Sequence, residues 1–189
     1  MPLDIGLGIF ASILISKIFG VGLSTTLLIF GIVSSLLLDL DFIIFKFKAN
    51  HKNEDDARHR DLLHYPIFFL IVGLIITLFS KSFGTLFLVG TLGHLLHDSV
   101  GLGWGIQWLY PFNKNYFTFF YRYQPRDREQ FQKKWFYNDT PEEQRALAEK
   151  YGIKDWMQEI YLRMHPYAIV EFLVFIAAVI ALLYVKIKS

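Results

Sequence analysis

The sequence has no cysteine, which excludes disulfides and thiolate metal sites and leaves only imidazole and carboxylate groups to hold a metal ion. Charge is scarce as well. Asp, Glu, Lys and Arg make up 19% of the 189 residues, against roughly a quarter in ordinary soluble domains. The net charge is only +2, and no long basic tract or nucleic-acid-binding motif is present, which argues against a nucleic-acid partner. No internal repeat or low-complexity tract divides the chain.

What the sequence does have is apolar length. Hydrophobic residues make up 53% of it, Phe alone occurs 19 times, and the mean hydropathy is +0.35. Apolar runs cover about 3–19, 21–42, 62–80, 83–100 and 166–186, each near the roughly 20 residues that a helix needs to cross a bilayer. The expected fold is therefore all-α: a polytopic membrane protein with about five transmembrane helices and a cytoplasmic helical appendage. Residues 1–112 and 166–189 would form the transmembrane bundle, and 113–165 an aromatic and helical insertion at the cytoplasmic interface. The first run is the weakest, being cut short by Lys17 and loosened by Gly6, Gly8 and Gly20. It lacks a preceding basic residue and an A-x-A site, so it reads as a retained anchor rather than a cleaved signal peptide.

Lys46, Lys48, Lys52, Arg58 and Arg60 crowd the loop between the second and third runs, whereas the intervening turns hold only Lys17 and Lys81. The positive-inside rule then puts that loop and the N-terminus in the cytoplasm and the C-terminus outside, for a multi-pass inner-membrane protein.

This topology brings three pairs of potential metal ligands to one face of the bilayer. Asp39 and Asp41 end the second run, His59 and His64 begin the third, and His94 and Asp98 end the fourth. His94 and Asp98, at i and i+4, share a helical face. Asp39 and Asp41 point about 200° apart on a continuous helix, so either the helix unwinds there and both reach one site, or they serve different ions or partners. A lone D-x-D at a helix end is ordinarily a solvated terminus, and His64 before Tyr65 and Pro66 also suits a helix start at the lipid interface. Ionisable groups inside an apolar run, such as His94, His97 and Asp98, are harder to dismiss, because they are costly at membrane depth.

Together these residues resemble the inner-membrane-associated metal-dependent hydrolases called YdjM-like or LexA-binding membrane proteins. That family's pattern is an apolar helix ending in D-x-D, then H-R-G-x-T-H-S, then a small-residue helix with H-x-x-x-D, then G-x-x-x-L-x-P-F. Here the corresponding segments are Leu38-Asp39-Leu40-Asp41, His59-Arg60-Asp61-Leu62-Leu63-His64-Tyr65, His94-Leu95-Leu96-His97-Asp98 and Gly105-Ile106-Gln107-Trp108-Leu109-Tyr110-Pro111-Phe112, over about 35–112. The resemblance implies metal ligation by Asp39, Asp41, His59, His64, His94 and Asp98. Asp61, Leu63 and Tyr65 replace the family's Gly, Thr and Ser, so hydroxyls around the second histidine are missing or moved.

Such a donor set suits one or two divalent ions such as Zn²⁺, Mn²⁺ or Fe²⁺, serving hydrolysis of a phosphoester or a related ester. Membrane lipid is the expected partner, the substrate can be lipid-like, and the sequence identifies no protein partner. Arg60 has the planar fork to clamp a phosphate oxygen, although it serves equally as a topology signal at the headgroups. His97 can act as a further ligand or proton carrier, or can simply pack. Trp104, Trp108 and the aromatic stretch 110–123 read as interfacial anchors or a roof over the site. Thr140-Pro141-Glu142-Glu143 has the form of a capping box and starts a short helix, and Ile153, Trp156, Met157, Ile160, Tyr161 and Met164 recur at helical spacing after it. The rival readings are a metal or proton transporter, for which spans one, three and five offer little polar material at mid-depth, and a scaffold whose metal only staples helices.

Overall fold

The computed structural model describes residues 2–41, 63–101, 105–122, 134–151 and 157–188. It is mostly helical. α1 is Pro2–Ile18, α2 Thr25–Leu36 followed by a 3₁₀ turn Leu37–Asp39, α3 Pro66–Phe79 and α4 Lys81–Asp98. Strands β1 Val100–Gly101, β2 Tyr116–Arg122 and β3 Phe136–Asp139 follow, then α5 Pro141–Tyr151, a π-helical turn Met157–Leu162 and α6 Pro166–Lys188.

Helices form where the five apolar runs lie, but among the described residues only α6 is both long and apolar enough to cross a membrane. The expectation of about five such spans is corrected on that criterion. α2 and α3, at 12 and 14 residues, extend roughly 18 and 21 Å at 1.5 Å per residue, short of the ~30 Å hydrocarbon layer. α1 carries Asp4 and Lys17, and α4 carries Lys81, His94, His97 and Asp98, which lower their hydropathy.

The chain divides into two compact units: Met1–Leu37, Phe69–His94 and Asp155–Ser189 in the first, Leu38–Phe68 and Leu95–Lys154 in the second. In the first, α1 packs against α2 and α6. The α1/α2 approach is close because Gly8 and Gly31 face each other; a Cβ on Gly8 would lie 2.7 Å from the Gly31 carbonyl oxygen. Small residues that let backbones meet are the usual device of helices packing in lipid. Ser12 seals the contact by donating to the carbonyls of Gly8 (2.8 Å) and Leu27 (3.3 Å). Ile9, Ile13 and Ala178 form one apolar core, and Ala11, Ile15, Leu27 and Leu86 another. α3 leaves Leu70, Ile71, Leu74, Ile75, Leu78 and Phe79 exposed, an apolar face that water would not support but lipid would.

The second unit contains a feature the sequence reading missed, a three-stranded sheet in the order β1-β2-β3, with β1 parallel and β3 antiparallel to β2. The aromatic stretch read as an interfacial anchor is in large part strand β2. Phe117 is buried and stacks near Phe136 (5.4 Å between ring centres). Gly105 brings the chain to this sheet with φ +76°, and a Cβ there would come within 2.8 Å of Thr118 Oγ1, so no other residue fits without strain. Trp108, one of the expected anchors, donates from Nε1 to Ser99 Oγ (2.8 Å). The capping box is realised: Glu143 N donates to Thr140 Oγ1 (3.2 Å), and Thr140 N to Glu143 Oε2 (2.8 Å).

Candidate metal centre

α2 ends at Leu36, and the chain tightens into the 3₁₀ turn Leu37–Asp39, so the D-x-D pair does not continue α2 as one unbroken α-helix. Asp39 is half-buried, and Asp41 is completely buried, at 0% exposure.

Within the second unit, Asp41 and Asp98 flank His64, which stands just ahead of α3. His64 Nδ1 lies 2.8 Å from Asp41 Oδ2, and Nε2 lies 3.0 Å from Asp98 Oδ2. His64 is 1% exposed and Asp98 14%. An imidazole engaged by a carboxylate at each nitrogen is fully satisfied only when doubly protonated, or when a cation takes the place of one proton. Asp41 Oδ1 is buried and has no hydrogen-bond partner among the described residues. A buried anionic oxygen left that way costs about 1–3 kcal/mol or more, and a bound cation would offset this. One imidazole and two carboxylates, with an oxygen to spare, are a donor set that can hold a divalent ion. Tyr65 stacks on Tyr110 in the same unit at 4.3 Å between ring centres.

His94 belongs to the first unit. Its Nδ1 lies 2.8 Å from the Ser35 carbonyl oxygen and 3.1 Å from Asp4 Oδ1, and both Asp4 and His94 are 1% exposed. Asp4 was not singled out in the sequence. Its signal was an acid inside an apolar run, masked by the ordinary placement of Asp in a helix's first turn. Glu171 was missed in the same way: a carboxylate in the apolar α6, 1% exposed. The Tyr161 hydroxyl donates to both of its oxygens at 3.0 Å. Burial, together with the charge of Glu171 and its hydrogen bond, pushes the Tyr161 phenol above its usual range, so it remains a donor.

His97 is half-buried near the end of α4. His59, Arg60 and Asp61 lie outside the described residues, as do Trp104 and the segment 123–133.

A family model described as "YdjM inner membrane protein" matches residues 4–188. No curated protein and no solved structure gives a match. The match takes in α1 with Asp4, the buried histidines and nearly all of α6, and so the chain belongs to the YdjM family of inner membrane proteins.

Proposed function

We propose that this inner membrane protein is a metal-dependent hydrolase acting on a phosphoester or related ester, lipid-linked or free, at the cytoplasmic membrane face. The observation that carries the reading is the array Asp41–His64–Asp98, together with the second oxygen of Asp41, which has no hydrogen-bond partner among the described residues. Asp41 holds His64 through Nδ1 and so directs Nε2 toward the side of Asp98. Asp98 retains some solvent access, and substrate approaches from its side. Asp39, His59 and His94 complete the donor set for one or two ions such as Zn²⁺, Mn²⁺ or Fe²⁺, as the family resemblance implies. A bound ion supplies the Lewis acidity that activates water and polarises the ester. Arg60 orients an anionic oxygen of the substrate, and His97 carries a proton.

The multi-pass topology belongs to the same proposal. The exposed apolar faces of α3 and α6 support it: Ile169, Val170, Leu173, Ile176, Ile180 and Leu183 of α6 all stand outside the core.

A second reading is a metal-stapled scaffold, favoured by the near-complete burial of Asp41 and His64. The deciding experiment is elemental analysis of protein purified without added metal, set beside the double variant His64→Ala/Asp98→Ala, followed by a panel of phosphoesters. Equal metal content in the two proteins ends both readings. Metal lost in the variant, with metal-dependent turnover in the wild type, supports the hydrolase. Metal without turnover leaves the scaffold, and metal flux in liposomes without ester cleavage would replace both with a transporter.

A further inference from the structure

We infer that Asp4 is a positioning residue for His94, fixing the imidazole in the tautomer whose Nε2 lone pair faces a cation. The inference rests on the metal-centre reading and extends it to a residue outside every motif quoted above.

The argument begins with the Ser35 carbonyl. A carbonyl oxygen can only accept, so at 2.8 Å from His94 Nδ1 it requires the proton to be on Nδ1. Nε2 is then the nitrogen that carries a lone pair and the one with which His94 can bind a metal. Asp4 Oδ1, 3.1 Å from the same Nδ1, adds a negative charge to the protonated side of the ring. That charge holds the tautomer and raises the basicity of the opposite nitrogen, as outer carboxylates do for metal-bound histidines. The acceptors are themselves anchored. Ser35 Oγ donates to the Asp4 carbonyl oxygen (2.7 Å) and to the Ile32 carbonyl (2.9 Å), so the start of α1 and the end of α2 move as one support for the ring.

The plainer role for Asp4 is to complement the dipole at the start of α1. That role works from solvent and does not require an acid 1% exposed beside an imidazole. The second unit independently repeats the device: Asp41 Oδ2 takes His64 Nδ1 at 2.8 Å. Two buried histidines thus each have an aspartate on Nδ1, which leaves Nε2 as the nitrogen on the far side of the ring from that acid.

The test uses the full chain in detergent or nanodiscs and zinc as the probe. Zinc affinity is measured by competition with a chelating dye for wild type, Asp4→Ala, Asp4→Asn, Asp4→Glu and His94→Ala. The wild-type His94 tautomer is read by ¹⁵N NMR of labelled histidine. Asp4→Ala is expected to lower zinc affinity by about 10- to 100-fold, with partial recovery in Asp4→Asn or Asp4→Glu, and wild-type His94 is expected to carry its proton on Nδ1. Zinc affinity within about twofold of wild type in Asp4→Ala, while His94→Ala weakens it, would overturn the inference and leave the metal reading intact. Unchanged affinity in His94→Ala would remove His94 from the ligand set and the inference with it. Should Asp4→Ala fail to fold, the near-isosteric Asp4→Asn and the wild-type spectrum decide: a His94 proton on Nε2 sinks the proposal.

Discussion

The two units hold a buried histidine by the same means and build its surroundings from opposite materials. In the first, His94 is held by Asp4 and a backbone carbonyl, in a bundle packed through Gly8, Gly31 and hydroxyls that donate back to helix carbonyls. In the second, His64 is held between Asp41 and Asp98, and the same unit contains a sheet rich in aromatic contacts: buried Phe117 against exposed Phe136, Trp108 against Phe119, and buried Tyr137. Small residues and internal hydroxyls suit packing where lipid replaces water. Aromatic side chains on a twisted sheet suit a region whose polar edges meet water or headgroups. The histidine–aspartate pairing is thus independent of the packing style that supports it, which is what a functional constraint on both rings would produce.

That comparison can be broken most decisively at the second unit's array. His64→Ala leaves Asp41 and Asp98 facing each other without their common partner, and a loss of about 3–5 kcal/mol is expected, together with loss of bound metal. Chemical denaturation and elemental analysis would read the two effects. An unchanged midpoint would mean that His64 is not the charged partner of the two acids.

The first unit's packing is tested by Gly31→Ala against Gly22→Ala. A Cβ at Gly31 would meet Ser12 Oγ and, at 2.7 Å, the Gly8 carbonyl, whereas a Cβ at Gly22 meets nothing within 4 Å. Overpacking at the first should cost about 1–3 kcal/mol and lower the thermal midpoint, with little effect at the second. Equal responses would dismiss the close helix contact.

In the second unit, Thr140→Ala removes one half of the α5 capping box, at a cost of about 1 kcal/mol. Faster amide exchange confined to the first turn of α5 is the expected signature, and uniform exchange across the unit would argue against a local cap.

The smallest effect concerns pH. The Tyr161 phenol is raised in the folded protein, so its contribution is fully present below the unfolded value of about 10 and is lost as pH rises toward the folded one. Wild type should therefore lose stability from about pH 10 upward more steeply than Tyr161→Phe. Parallel curves would show that the phenol does not hold its proton against Glu171.

Local rules made several features legible in the sequence. The five helical runs follow from apolar length, and the α5 start from Thr140 and Glu143 three residues apart. The strands were not legible because β2 places aromatics on both faces. Phe117 is buried and Phe120 exposed, so no alternation of polarity marks the pleat. The lengths of α2 and α3 escaped because hydropathy continues past the helix ends, whereas hydrogen bonding stops at Ser24 and Tyr65.

By itself the sequence determined that this chain is mostly helical and apolar, that any metal it binds must use nitrogen and oxygen donors, and which histidines and acids are candidates, because composition and short-range spacing carry that information. Which acid meets which ring nitrogen was decided only by the tertiary structure. Asp4 reaches His94, and Asp41 reaches His64, through helix packing between residues far apart in the chain, and such pairings leave no periodic trace for a sequence pattern to report.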